Sequence, residues 1–112
     1  MSDCLFCSIV AGEIPANVVL RTDEFVAFTD IDPQAPVHTL VIPIEHHESA
    51  GSMAQANPEL AGRLLATTEQ VASAAGIDDY RLVFNTGAGA GQSVFHVHGH
   101  VLGGRAMTWP PG

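Results

Sequence analysis

The sequence predicts an α+β domain in which an antiparallel sheet packs against helices. Two observations lead to this prediction. Five short β-rich segments are separated by turn residues, and one long helical pattern is inserted between the third and the fourth segment. The chain has 112 residues and is 46% hydrophobic, which is enough for one core. We therefore expect a single domain over residues 1–112, with five strands, one long helix and one short helix.

The first predicted element is a short helix from Leu5 to Ala11, ended by Gly12. Cys4 and Cys7 form a Cys-x-x-Cys pair at its start. A disulfide is disfavoured in a reducing cytoplasm, and a thioredoxin-like pair would follow a strand. Zinc ligation and two unremarkable thiols remain as alternatives.

Three strands follow. Residues 18–21 and 25–29 are predicted to form a hairpin, and the third strand runs from His38 to Ile42 before Pro43. Asp30 stands at the end of the second strand, where either a turn-capping role or a functional role fits a carboxylate. The polar residues after the third strand, which include His46 and His47, predict a loop or the start of a short helix.

The long helix has strong boundary signals. Asn57 is a suitable N-cap, Pro58 a suitable first residue and Gly76 a suitable stop. Apolar residues recur at helical spacing, so we expect this helix to pack on the core through Leu60, Leu64, Val71 and Ala75. A fourth strand is predicted from Tyr80 to Asn85.

A glycine-rich loop and a histidine-rich strand occupy residues 87–105. Side chains alternate along a strand, so His96, His98 and His100 should share one exposed face. The opposite face should pack on the core through Phe95, Val97, Gly99 and Val101. Such a row fits a solvated structural role, a zinc site, or nucleophilic attack on phosphorus.

The charge balance limits the function. The chain has four arginines, no lysine and a net charge of −8, so it lacks the basic surface that a nucleic-acid-binding protein needs. Phosphate would have to be held by backbone N–H groups, hydroxyls and histidine. No apolar run of about 18 residues predicts a membrane span, and no signal peptide is apparent, so we expect a cytoplasmic protein.

The run from His96 to Leu102 resembles the signature of the histidine triad (HIT) family, in which histidines alternate with apolar residues. The resemblance extends along nearly the whole chain and is to the Hint branch. It is carried by Asp30-Ile31, Gln34-Ala35-Pro36, His38, Leu40-Val41-Ile42-Pro43, Asn85, Gly91-Gln92-Ser93-Val94, Gly103-Gly104-Arg105 and Trp109-Pro110-Pro111-Gly112. Gly99 departs from the pattern, which has a larger apolar residue there, and predicts a local adjustment of packing.

The resemblance implies a HIT-like fold that dimerises into a ten-stranded sheet, and cleavage of purine nucleoside 5′-phosphoramidates through a nucleotidyl-histidine intermediate. By position, His98 would be the nucleophile, His38 would orient the histidines, and His100 and Ser93 would contact the phosphate. Asp30 would hold the ribose hydroxyls. The other substrate contacts expected from the resemblance are Phe28, Ile31, Asn85, Gly91, Gln92 and Trp109.

The resemblance also implies a structural zinc ion, as some bacterial members carry, and no organic cofactor. Its expected ligands are Cys4, Cys7, His46 and His96, with His46 favoured over His47 by spacing. Two other functions compete with phosphoramidate hydrolysis. One is hydrolysis of dinucleoside polyphosphates, and the other is a nucleotide-binding or scaffold role with weak activity.

Overall fold

A computed structural model describes residues 4–112, which form one five-stranded antiparallel sheet with helices on both faces. This confirms the predicted fold class. The strands lie in the order β1-β2-β3-β5-β4, where β1 is Val18–Arg21, β2 Phe25–Thr29, β3 Val37–Pro43, β4 Tyr80–Val83 and β5 Gly99–Gly103. The helices are α1 Leu5–Val10, α2 Ala50–Ala56 and α3 Pro58–Ala74, and a 3₁₀ turn covers Ala88–Ala90.

The two faces of the sheet bury separate apolar clusters. One face packs against α2 and α3 through Phe25, Ala27, Val41, Val97 and Val101, with Met53, Leu60, Leu64, Val71 and Ala72 on the helices. The other face packs against α1 through Val26, Phe28, Leu40 and Ile42, which surround Phe6. Alternation along β2 and β3 produces this division, because successive side chains point to opposite faces.

Helix α3 begins and ends close to the predicted residues. The Asn57 side chain accepts a hydrogen bond from Leu60 N at 3.1 Å, and Gly76 adopts a φ of 76° just after the helix. The predicted apolar stripe is correct at Leu60, Leu64 and Val71 but wrong at Ala75, which is exposed. No helix among residues 4–112 is both long and apolar enough to span a bilayer.

Helix α2 was predicted only as one of two alternatives, a loop or the start of a short helix after the third strand. It is seven residues long, and Met53 is its single buried residue, so it shows no apolar periodicity. Its start is fixed by a capping box in which the side chains of Ser49 and Ser52 each bond to the other's backbone N–H. Serine at the third helical position is a weaker sequence signal than the usual glutamate, which explains why both alternatives stayed open.

Gly99 lies directly beside the side chain of Phe84. A Cβ atom on Gly99 would lie 2.9 Å from Cζ of Phe84 and 3.2 Å from Cδ1 of Leu82. The Phe84 ring therefore fills the space that a larger residue at position 99 would need. This is the adjustment of packing that the departure at Gly99 predicted.

Gly99→Val should lower the free energy of unfolding by about 1–3 kcal/mol, because the added methyl groups overlap the Phe84 ring. Phe84→Val, made in the same chain, should recover part of that loss by opening the space. Chemical denaturation of the four proteins of this double-mutant cycle measures the coupling. Strictly additive losses would contradict the packing described here.

Candidate functional site

His38, His98 and His100 meet on the sheet face that α1 covers. The ring centroids of His98 and His100 are 4.9 Å apart, and those of His38 and His100 are 5.2 Å apart. His38 comes from β3 and His100 from the adjacent β5, so the central strands position both rings. The structure thus brings together three of the residues singled out in the sequence.

Hydrogen bonds fix the tautomers of His38 and His100. Gln34 N donates to Nδ1 of His38 at 3.0 Å, so the proton of neutral His38 must be on Nε2. His38 Nε2 lies 2.9 Å from His100 Nδ1 and therefore donates to it. The proton of His100 is then on its own Nε2, a buried atom without a hydrogen-bond partner among the described residues. That N–H is a ready donor for an anionic oxygen.

His98 has the opposite arrangement. Its Nδ1 lies 2.8 Å from the backbone carbonyl oxygen of His96, and a carbonyl can only accept, so Nδ1 carries the proton. The lone pair is therefore on Nε2, the nitrogen that remains for chemistry. Burial lowers the pKa of His98 more than this hydrogen bond raises it, which keeps the imidazole neutral at pH 7.

The expectation of three histidines in a row on an exposed strand face is wrong in two respects. Strand β5 begins at Gly99, so His96 and His98 lie in the irregular segment before it. His96 is 0% and His98 7% exposed, because Phe6 of α1 packs on both rings. Phe95, which was expected in the core, is 43% exposed, because the regular alternation of β5 starts only at Gly99.

Phe6 was not singled out in the sequence, although it lies between Cys4 and Cys7. Its ring meets the ring of His98 edge-to-face at a centroid distance of 5.0 Å and an interplanar angle of 88°. It also contacts Phe28 at 5.4 Å and is itself buried. An aromatic residue inside a Cys-x-x-Cys pair was the available sequence signal that α1 covers a site.

Cys4, Cys7, His46 and His96 form a four-residue cluster with all ligand atoms within 4.8 Å of one another. Sγ of Cys4 and Sγ of Cys7 each lie 3.4 Å from Nδ1 of His96, and the Nδ1 atoms of His46 and His96 are 3.1 Å apart. A tetrahedral zinc ion with bonds of about 2.0–2.3 Å holds its ligand atoms about 3.3–3.8 Å apart. The cluster therefore fits zinc closely.

The surroundings of His96 support the same conclusion. Its Nε2 donates to the backbone carbonyl of Pro43 at 2.7 Å, which leaves the lone pair on Nδ1, the atom that faces the cysteines. The backbone N–H of Cys7 donates to Sγ of Cys4 at 3.3 Å. His47 lies outside the cluster, with its Nε2 at 2.6 Å from a carboxylate oxygen of Glu45.

A second group, Asp30, His38 and His100, is also compact enough for a metal ion. The hydrogen bonds within this group argue against a bound metal ion. Metal ligation through Nε2 of His38 would move the proton to Nδ1, where it would face the N–H of Gln34. We therefore interpret this group as a hydrogen-bonded network that orients the histidines.

The glycine loop is braced by Gln92. Its side-chain oxygen accepts from Gly87 N at 2.9 Å, and its amide donates to the carbonyl of Glu48 at 2.7 Å. Gln92 is buried, so its side chain shapes the loop and is not available to a ligand. The backbone N–H groups of Gly91 and Gln92 also bond within the loop, to the carbonyl oxygens of Ala88 and Gly87.

The remaining predicted residues lie at different depths. Oδ1 of Asp30 accepts from Asp32 N at 2.8 Å, which is the turn-capping role, while Oδ2 lies 3.4 Å from Nε2 of His38. Phe28 is buried, whereas Ile31 and Trp109 are almost fully exposed. Ser93 is exposed at the end of the loop, and Asn85 is half-buried beside Gly91.

Comparison with known proteins identifies the relationship. The family model described as the HIT domain matches residues 11–107. A 14 kDa zinc-binding protein of Brassica juncea is 43% identical over 113 residues, which cover 98% of this chain and 100% of that protein.

Two solved structures are similar to this chain over nearly its whole length. A HIT family hydrolase from Legionella pneumophila has a TM-score of 0.93 and 48% identity, with 98% of this chain and 100% of that chain covered. A histidine triad nucleotide-binding protein from Candida albicans has a TM-score of 0.83 and 27% identity, with 98% of this chain and 85% of that chain covered.

The histidine cluster should make the free energy of unfolding depend on pH. Burial, followed by the charges of His98 and His38, lowers the pKa of His100 to about 4, against about 6.5 in an unfolded chain. Between these values the unfolded state binds a proton that the folded state does not, so stability should fall as the pH falls from about 6.5 to about 4.

Denaturant unfolding at a series of pH values tests this effect. Between about pH 4 and 6.5, unfolding of His100→Asn should take up about one proton fewer than unfolding of the parent protein. The free energy of unfolding should therefore change less steeply with pH in the variant. Both proteins are measured with and without a chelator, so that release of a metal is accounted for separately. Equal slopes in the two proteins would contradict the lowered pKa.

Proposed function

Because the chain belongs to the HIT domain family, we propose that it is a hydrolase that cleaves purine nucleoside 5′-phosphoramidates to nucleoside monophosphates. One observation carries the proposal: Nε2 of His98 offers a lone pair, and the ring of His100, with its centroid 4.9 Å away, offers an unpartnered proton on its own Nε2. A nucleophile next to a donor for a phosphate oxygen is what displacement at phosphorus requires. The similar protein described as a hydrolase supports the reaction class.

In the first step of the proposed reaction, Nε2 of His98 bonds to the α-phosphorus as the P–N bond to the amine breaks. The amine leaves with a proton from solvent, hydrogen-bonded by the Ser93 hydroxyl. Water then attacks the same phosphorus, the P–Nε2 bond breaks, and a proton returns to solvent. His100 contacts a phosphate oxygen throughout, and the hydrogen bond from His38 keeps the proton of His100 on Nε2.

The nucleoside end is proposed to lie near α1 and the Asp30 turn. Asp30 would bind the ribose hydroxyls, while Phe28 and Ile31 would contribute to the base pocket. Asn85 and Gly91 would line the phosphate region, and Gln92 would act by shaping the loop. The similar protein described as nucleotide-binding supports a nucleotide ligand.

His98→Ala should retain less than about a hundredth of the turnover of an adenosine phosphoramidate, a loss of at least ~2.7 kcal/mol in transition-state stabilisation. AMP binding should persist, because His98 contributes the reacting atom and the other residues hold the nucleotide. The matched control is His47→Ala, a histidine outside both clusters. Turnover above that limit in a folded His98→Ala would exclude His98 as the nucleophile.

The same assay separates the competing functions. A preference for adenosine phosphoramidates over diadenosine polyphosphates supports the proposal, and the reverse preference supports dinucleoside polyphosphate hydrolysis. Tight AMP binding without turnover of either substrate would indicate a nucleotide-binding or scaffold role.

We also propose that zinc occupies the Cys4, Cys7, His46 and His96 cluster as a structural ion. A closed set of four protein ligands leaves no position for substrate. When bound, the ion would supply a cross-link that holds α1 against the segment before β5. The relative described as zinc-binding supports this choice of metal.

Protein purified without chelator should contain about one zinc per chain. Removing the metal should lower Tm by more than about 5 °C, because a loss of about 1 kcal/mol shifts a domain of this size by about that amount. Activity per folded molecule should fall less. Complete loss of activity at unchanged Tm would instead indicate a catalytic metal and would overturn the nucleophile assignment.

The C-terminal tail is proposed to reach a second copy of the chain in a cytoplasmic homodimer with a continuous ten-stranded sheet. Trp109 is 83% exposed, and Arg81 of β4 donates to the carbonyl of Thr108 at 3.0 Å. The tail is therefore fastened beside an edge strand of the sheet. In a dimer that pairs this edge, Trp109 would lie near the partner's leaving-group side.

Deleting residues 107–112 should change the relative rates for different amine leaving groups by more than about threefold, a difference of ~0.65 kcal/mol, with little change in AMP affinity. Trp109→Ala should reproduce most of the effect, whereas Thr108→Ala, which keeps the bonded carbonyl, should not. The dimer should persist in sedimentation. Unchanged relative rates after the deletion would reject a role for the tail in the site.

A further inference from the structure

Arg105 joins the segment after β5 to the loop of residues 30–36, which connects β2 to β3. Its Nε donates to the carbonyl oxygen of Gln34 at 3.0 Å, and its Nη1 donates to the carbonyl oxygen of Ala106 at 2.9 Å. The planar guanidinium thus bridges two backbone oxygens. The other three arginines bond elsewhere within residues 4–112, so Arg105 is the one arginine with a hydrogen bond to this loop.

Gly104 brings a second part of the same loop against this segment. Its φ is 90°, and a Cβ atom on it would lie 2.9 Å from Cβ of Pro36. The backbone of Gly104 and the ring of Pro36 are therefore in close contact, at a position where a side chain would not fit. Arg105 and Gly104 together hold the loop at Gln34 and at Pro36, shortly before β3 begins.

Gln34 decides which nitrogen of His38 carries the proton. Its backbone N–H donates to Nδ1 of His38 at 3.0 Å, while its carbonyl oxygen accepts from Arg105. The N–H and the carbonyl belong to successive peptide planes that meet at the Cα atom of Gln34. Fixing the carbonyl therefore limits the rotation that would turn the N–H away from His38.

The same N–H sets the direction of the chain of hydrogen bonds that ends at His100. If His38 carried its proton on Nδ1, its Nε2 would accept from Nδ1 of His100, 2.9 Å away. Nε2 of His100 would then hold a lone pair where the proposed reaction needs a donor. Oδ2 of Asp30, 3.4 Å from Nε2 of His38, also favours the present tautomer, so loss of the Gln34 bond would reverse the chain in only a part of the molecules.

We propose that Arg105 is a positioning residue for the phosphate. It holds the carbonyl of Gln34, which keeps the N–H of Gln34 directed at His38, and the N–H of His100 thereby stays available to a phosphate oxygen. The inference rests on the proposed function, in which His100 contacts the phosphate. Arg105 is itself exposed and acts through the loop.

Proton–nitrogen NMR of protein with isotope-labelled histidine tests the proposal, because it distinguishes a ring nitrogen that carries a proton from one that carries a lone pair. At about pH 8 the imidazoles are neutral, so the spectra report the tautomers. The parent protein should show protonated Nε2 on His38 and on His100. Arg105→Ala should shift the signals of both rings toward a mixture of tautomers.

Arg21→Ala is the matched control and should leave those signals unchanged. Arg21 is likewise exposed and also donates to a backbone carbonyl, that of Val10 at 2.9 Å, but it has no hydrogen bond to the loop among the described residues. Arg105→Lys keeps the charge and replaces the fork of donors with one ammonium group, so it should shift the signals less and in the same direction.

Binding of AMP and of adenosine gives a second readout. A lone pair in place of a donor repels the phosphate, so Arg105→Ala should bind AMP at least about threefold more weakly than Arg21→Ala, a difference of ~0.65 kcal/mol. Both variants lack one positive charge, so a general change in the attraction of anions cancels. Adenosine has no phosphate and should bind both variants equally, because Asp32 N still holds the carboxylate of Asp30 at 2.8 Å.

Unchanged tautomers in Arg105→Ala, or in Arg105→Lys if only that variant folds, would overturn the proposal. An equal shift of the signals in Arg21→Ala would do the same. Equal losses of AMP and adenosine affinity would assign Arg105 to the shape of the ribose site and would also overturn it. If the parent protein binds neither AMP nor adenosine, the proposed function fails, and the tautomers alone decide the role of Arg105.

Discussion

The candidate active site depends on the hydrogen bonds that backbone groups make to buried imidazoles. Gln34 N, the His96 carbonyl and the Pro43 carbonyl each bind one ring nitrogen, of His38, His98 and His96 respectively. Because a peptide group has a fixed role as donor or acceptor, each bond decides which nitrogen carries the proton. The result is one nitrogen lone pair and one N–H in the same small volume, both defined by the path of the main chain.

His96 links this arrangement to the metal-binding cluster. Its ring joins the two cysteines and His46, while its backbone carbonyl holds Nδ1 of His98. Phe6 makes a second link, since it lies between the cysteines and packs on the His98 ring. A cross-link at the cysteines would therefore hold both the backbone and the aromatic cover next to His98, without touching substrate.

The sequence predicted these features unevenly, and the physical reason differs from case to case. The strands and α3 follow from alternation, caps and helical spacing, which are local signals. Helix α2 has only a weak local signal, because serine stands where a capping box usually has glutamate. The exposure of Phe95 and of Ala75 follows from where β5 begins, at Gly99, and where α3 ends, at Ala74. The clustering of Cys4, Cys7, His46 and His96 was expected only through family resemblance, because no local pattern brings residues 4 and 96 together. The hydrogen bond from Gln34 N to His38 could not be predicted from side-chain types, because its donor is a backbone N–H group.

The pairing of β1 with β2 shifts register between Val18 and Leu20, and this irregularity bears on how copies of this chain can associate. A sheet can gain strands at either edge, and two open edges permit indefinite growth into filaments. In this sheet one edge is β1, where the shift at Val18 to Leu20 breaks the regular ladder, and the other is β4. The proposed dimer would pair two identical β4 edges, and it would leave only the two irregular β1 edges outermost. Pairing of that kind would close the assembly at two chains, because a broken ladder is a poor template for a further strand.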